Sequence, residues 1–153
     1  MPGVSVFIDS NVLLYARDEA AQDRAVIAAD WLRLLSDLGC GRTNLQVLNE
    51  VSHVLLRKRA NLTAQEVFEQ VDGLRPFGSA PITWPIIATA RSLRISTRYA
   101  WWDCILLASA LALGCTHFLS EDMQDRRTIS DGSQSLTIVD PFAHSPRDIF
   151  IQH

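Results

Sequence analysis

The sequence predicts a three-layer α/β/α domain built on a small parallel sheet, and two observations predict it. Short apolar runs rich in β-branched and aromatic residues stand at Val4 to Ile8, Thr116 to Leu119 and Leu136 to Val139. Such runs read as buried strands. Between the first run and the second lie several long segments with helical periodicity. Strands separated by helices pair in parallel through right-handed crossovers.

Taken in order, Val4 to Ile8 is the first strand. Ser10 and Asn11 follow as residues of good N-cap type, opening a short helix through Tyr15. Asp23 to Leu38 carries apolar residues at Ala25, Ala28, Ala29, Leu32 and Leu35, and Gly39 and Gly41 stop that helix. Arg42 and Thr43 can form a very short strand. Asn44 caps a helix from Leu45 to Arg59, and Thr63 with Glu66 makes a capping box for a helix to Leu74. Pro76, Gly78 and Pro81 mark a turn. Pro85 suits the first turn of a helix to Arg98, and Ala100 to Leu113 is a strongly apolar helix ended by Gly114. Pro141 ends the last strand. Residues 1–140 form the expected domain, and 141–153 a tail whose Ile149, Phe150 and Ile151 suggest docking on the body or on a partner.

The bulk properties agree with one domain. A chain of 153 residues with 48% hydrophobic and 20% charged residues can bury a real core and is not of disordered composition. The N-terminal segment lacks a basic leader, and no apolar stretch reaches the length of a membrane span, so a cytoplasmic protein is expected. Cys40, Cys104 and Cys115 lie in apolar surroundings and read as reduced core thiols. The net charge of -3 argues against a nucleic-acid partner when taken alone. The cations are unevenly placed, however: Arg57, Lys58 and Arg59 are contiguous, Arg91, Arg94 and Arg98 recur at helical spacing, and Arg126 and Arg127 are adjacent. Each group taken singly reads as a solvated helix face or helix end.

Four acids stand where acids are expensive. Asp9 directly follows the first strand, and open parallel sheets bind ligands beyond the carboxyl ends of their strands. It equally suits a helix cap. Glu50 has Val47, Val51 and Val54 as helical neighbours and so lies along an apolar flank, where it can also reach out to solvent. Asp103, in Tyr-Ala-Trp-Trp-Asp-Cys-Ile-Leu-Leu, faces Tyr99, Leu106 and Leu107, where an isolated carboxylate costs several kcal/mol or takes up a proton. Its other reading is an acid placed in a first helical turn. Asp122 follows the strand Thr116 to Leu119 in a loop with Glu121 and Asp125. Acids gathered in one site raise one another's pKa unless a cation joins them. Oxygen donors suit Mg²⁺ or Mn²⁺, and phosphodiester hydrolysis uses such a site.

The segments FIDSNVLLYA, LNEV, WWDCILLASA and FLSEDMQD, in this order and spacing, resemble the PIN-domain family, and within it the VapC-type toxins of bacterial toxin–antitoxin pairs. The resemblance covers nearly the whole chain. It implies a compact α/β/α fold with an acidic site at the strand ends. It also implies Mg²⁺- or Mn²⁺-dependent cleavage of RNA. The acidic positions carry over to Asp9, Glu50, Asp103 and Asp122, and the supporting polar positions to Asn11 and Ser120. Glu121 stands beside Asp122 and could replace or assist it. Homodimers and a small antitoxin partner are further implications. A phosphatase built on Asp9 would want an aspartate two residues on, where Asn11 stands, and a receiver domain would want a late lysine, where the only lysine is Lys58. A catalytically silent RNA-binding or protein-interaction module on the same fold is the alternative.

Overall fold

A computed structural model describes residues 3–59 and 61–150. Five strands form one sheet: β1 (Val6–Ile8), β2 (Gly41–Arg42), β3 (His117–Leu119), β4 (Thr128–Ser130) and β5 (Ser135–Val139). Their order is β2-β1-β3-β5-β4. β1 pairs in parallel with β2 and β3, and β3 in parallel with β5. The β1 side chains are wholly buried, and Phe7 stacks on Phe118 of β3 at 5.3 Å. A strand covered on both faces must be apolar throughout, and Val6, Phe7 and Ile8 are.

The helices are α1 (Ser10–Tyr15), α2 (Asp23–Asp37), α3 (Leu45–Lys58), α4 (Ala64–Asp72), α5 (Trp84–Thr97), α6 (Trp101–Ala112) and α7 (Arg147–Phe150). They cover the sheet to make three layers. α1 packs on α2 and α3, α3 on α4, and α5 on α6. The chain leaves β1 for β2 on one side and returns to β3 on the other. The carboxyl ends of β1 and β3 therefore flank the point where strand order reverses, which is where open α/β sheets place their sites. The Asp9 amide donates to Leu119 O at 3.0 Å and locks those two ends together.

The expected elements are present, with local differences. The sheet is mixed rather than wholly parallel, because β4 pairs antiparallel with β5. Only Ile129 of β4 is buried, so an apolar run of strand length is missing there. The Asp131-Gly132 turn that joins β4 to β5 was the legible hairpin signal. The cap of α1 is Asp9, whose side chain accepts the Ser10 amide, while Ser10 and Asn11 lie inside the helix. The short strand is Gly41–Arg42, one residue earlier than expected. Gly41 is there for space, since a Cβ would stand 2.9 Å from the Phe77 ring. The helix expected to reach Leu74 ends at Asp72, and a separate 3₁₀ turn covers Arg75–Phe77. The Asn44 cap and the Thr63–Glu66 capping box form as expected.

After β5 the chain crosses back over the body. Trp31 Nε1 donates to Pro141 O at 3.0 Å, Phe142 meets Tyr15 edge-on at 5.1 Å, and Ile149 is buried. Ile151 lies outside the described residues. All three cysteines carry free thiols. No helix among the described residues is long and apolar enough to cross a membrane.

Candidate active site

Asp9 sits at the end of β1 and is 4% exposed. Its Oδ1 accepts the Ser10 amide at 2.7 Å, and its Oδ2 accepts the Ser120 hydroxyl at 2.8 Å. Both readings of Asp9 hold at once, because the helix cap is also the deepest acid of the site. Burial pushes its carboxyl up to about 7, against the pull of the Ser120 and Ser10 hydrogen bonds. The neighbouring charges of Asp103 and Glu50 push it in the same direction as burial.

Glu50 comes from the middle of α3, which Asn44 starts by accepting the Val47 amide at 3.0 Å. The apolar flank that carries Glu50 is the flank facing α1. Ser10 Oγ donates to Glu50 Oε2 at 2.9 Å, and Gln46 Nε2 donates to Oε1 at 3.2 Å. The side chain is turned into the site and is half-buried.

Asp103 lies in the first turn of α6, so the helix dipole favours its charge there. It accepts no hydrogen bond from the described residues. Burial raises its pKa, and the charges of Asp122 and Glu50 raise it further. Asp122 is exposed on the loop after β3. Its Oδ2 accepts Asn11 Nδ2 at 2.9 Å, and its amide donates to Ser120 Oγ at 3.2 Å. Ser120, wholly buried, thus ties the β3 loop to Asp9. Asn11 Nδ2 lies 3.1 Å from Ser120 Oγ and 3.4 Å from Asp9 Oδ2, spanning the two strand ends.

Glu121 turns the other way. It accepts hydrogen bonds from the Tyr15 hydroxyl and the Arg24 guanidinium, and Arg24 also lies over the Phe142 ring at 4.6 Å. Glu121 therefore anchors the loop against α1 and α2, whereas Asp122 faces Asp103. A cleft of about 550 Å³ opens beside Asn11 and Glu121, lined also by Tyr15, Val54, Lys58 and Arg59.

The structure brings all four predicted acids, with Asn11 and Ser120, to one place beyond β1 and β3. The sequence reading did not foresee Ser10 and Gln46 as partners of Glu50, nor Tyr15 and Arg24 as anchors of Glu121. Gln46, one helical turn before Glu50, was the one legible from spacing. The donor set is hard oxygen, it carries an excess of negative charge, and Asn11 Oδ1 is a buried acceptor without a donor among the described residues. These features fit a hard divalent cation. Among the described residues no three His, Cys, Asp or Glu side chains are drawn close enough to ligate one ion together. The fit is thus to an ion held by one or two carboxylates and its own waters, as Mg²⁺ commonly is, not to a closed protein cage.

A three-layer α/β/α fold with acids at the switch point of its sheet defines a class of domain, and the comparisons name it. The PIN domain family model matches residues 6–128, and the chain belongs to that family. No curated protein matches significantly. Among solved structures, a toxin–antitoxin complex from Klebsiella pneumoniae is similar at a TM-score of 0.63 and 18% identity, covering 90% of this chain and 98% of that one. VapBC2 from Rickettsia felis, bound to a DNA fragment from their promoter, is similar at 0.65 and 13%, covering 90% and 100%. FitAcB from Neisseria gonorrhoeae is similar at 0.58 and 15%, covering 91% and 99%.

Proposed function

We propose that this protein is a divalent-metal-dependent endoribonuclease and the toxin of a type II toxin–antitoxin pair. The observation that carries the reading is Asp9: a buried carboxylate at the switch point, pushed up to about 7, with Glu50 and Asp103 facing it. Such a group is neutral or has a cation beside it. Membership of the PIN family and the likeness to toxin–antitoxin complexes support the reading.

Of Asp9, Asp103 and Asp122, one or two would hold Mg²⁺ or Mn²⁺ directly and the rest, with Glu50, would reach the ion through its waters. When bound, the ion supplies an attacking water of lowered pKa and offsets the charge that builds on the phosphate oxygens. Ser10 and Ser120 hold the Asp9 carboxylate in one orientation, and Asn11 keeps Asp122 beside it. Orientation of this kind commonly changes metal affinity by 10- to 100-fold. Hydrolysis leaves a 5′-phosphate and a 3′-hydroxyl. A small antitoxin would close the enzyme by filling the cleft beside Asn11, and a homodimer is the working form proposed.

The test is cleavage of RNA by purified protein with Mg²⁺ or Mn²⁺ and with EDTA. Asp9→Asn and Asp103→Asn abolish metal-dependent cleavage and leave the circular dichroism spectrum unchanged. Full activity in both variants overturns the site. Absence of cleavage by the wild type under every metal, with RNA still bound, favours a silent binding module.

A further inference from the structure

Charge is segregated along this chain. From Gly73 to Trp102 the sequence has arginines at 75, 91, 94 and 98 and neither Asp nor Glu, in a protein of net charge -3. Three of these arginines lie on or at the end of α5. Residues seven apart share a helix face, so Trp84, Arg91 and Arg98 line up, with Arg94 between the last two. The structure bears out the first pair of that alignment, since the Arg91 guanidinium lies over the Trp84 ring at 4.6 Å.

The face is open. Arg91, Arg94 and Arg98 are exposed, and no carboxylate of the described residues pairs with them. Three unneutralised guanidinium groups on one helix face, in a segment without acids, make a local positive field. Arg98 ends α5 in the left-handed conformation at φ 65, where glycine is the ordinary residue. A cationic side chain stands there against the backbone preference.

Along the chain the row runs on toward the acids. Four residues beyond Arg98 comes Trp102, in the first turn of α6 and 59% exposed, directly before Asp103. Arg127, from the loop that carries Asp122, lies over the Tyr99 ring at 4.9 Å and adds a further cation at this end. Cations spaced along a helix meet backbone phosphates, and exposed indoles take unpaired bases by stacking.

We infer that the exposed face of α5, continued by Trp102, is the track along which single-stranded RNA reaches the acidic site, with Arg91, Arg94 and Arg98 on phosphates and Trp102 under a base next to the scissile bond. The inference rests on the ribonuclease reading. A second copy of this chain is a poorer occupant, because a two-fold contact would set the arginine row against itself. An acidic protein would satisfy the arginines but leave Trp102 without a stacking partner.

The test measures binding of a fluorescent 12-nucleotide unstructured RNA to the full chain in EDTA, over a series of salt concentrations. A poly-glutamate peptide is the second probe. Arg91→Ala, Arg94→Ala and Arg98→Ala combined lower the slope of log affinity against log salt by about 2, the value for three phosphate contacts on a single strand. The triple lysine variant keeps the slope. Trp102→Ala weakens RNA about 10-fold with an unchanged slope, as loss of one stacked base does. Arg33→Ala, on α2 and paired with Asp30, changes neither. Wild-type affinity and slope in both test variants overturn the inference. So does poly-glutamate bound as tightly as RNA and insensitive to Trp102→Ala, which assigns the face to a protein. Dissociation of a dimer by these variants, with RNA affinity unchanged, assigns it to a second copy. The cleavage assay separates the two readings: RNA bound through this face without metal-dependent cleavage overturns the ribonuclease, and cleavage with unchanged KM in the variants overturns the track alone.

Discussion

The Tyr99 hydroxyl accepts the Gln124 amide at 3.2 Å and so joins the turn before α6 to the loop after β3. Asp103 stands in the first turn of α6, four residues after Tyr99, and Asp122 on that loop, and their charges repel. Arg127 over the Tyr99 ring reinforces the tie. Two carboxylates, of which Asp122 raises the pKa of Asp103, are held in reach of one another by an aromatic clamp.

Removing the hydroxyl loosens that clamp. Tyr99→Phe lowers Mn²⁺ affinity several-fold, within the range for groups that orient metal ligands. It costs about 1 kcal/mol of stability, the net worth of one hydrogen bond. Calorimetric titration with Mn²⁺ and urea denaturation read the two effects separately. Unchanged affinity would show that the loops hold position without Tyr99.

The pH dependence of stability follows from Asp9. Its carboxyl is pushed up to about 7 in the folded protein and has its ordinary value of 3.8 when unfolded. Between those values the folded state binds more protons, so stability of the metal-free protein is greatest at the acid end and falls as pH rises through the window. Asp103, also raised, adds to the slope. Asp9→Asn removes the larger part of it and makes the metal-free protein more stable at pH 8, by at most about 4 kcal/mol. Mg²⁺ correspondingly raises the Tm of the wild type more at pH 8 than at pH 5. Denaturation curves at several pH values, with EDTA and with Mg²⁺, check both statements.

Ser10→Ala takes the donor from Glu50 Oε2 and leaves Asp9 its backbone donor. Metal affinity falls about 10-fold and cleavage with it, while Tm moves little. Ser10→Thr keeps a hydroxyl and restores most of the affinity. Equal values for the alanine and threonine variants in a Mn²⁺ titration would remove Ser10 from the site.

Trp31 holds the segment after β5. Trp31→Phe leaves Pro141 O without its donor in a buried setting and opens a small void, together costing about 2–4 kcal/mol. His144→Ala breaks the 2.6 Å contact with the partly exposed Asp125, one side-chain hydrogen bond worth about 1 kcal/mol. Limited proteolysis after residue 140 is faster in Trp31→Phe than in His144→Ala, which ranks the two attachments.

The chain's own pattern determined a good deal. Val6 to Ile8 and Phe118 to Leu119 are apolar on both faces, and that alone marks strands buried between helices. Asn44, Thr63 and Glu66 cap helices by local hydrogen bonds, which spacing makes readable. Asp103 was conspicuous because Leu106 and Leu107 leave it no polar neighbour along its helix. Tertiary structure decided everything that rests on contact between distant segments. β4 exists through its ladder with β5, not through its own composition. Glu50 became part of the site when α3 packed on α1 and met Ser10, forty residues earlier in the chain. Glu121 and Asp122, indistinguishable as adjacent acids, were separated by Tyr15 and Arg24, which lie more than ninety residues before them. Periodicity and capping are encoded within a few residues, whereas the partner of a carboxylate is set by which elements the core brings together.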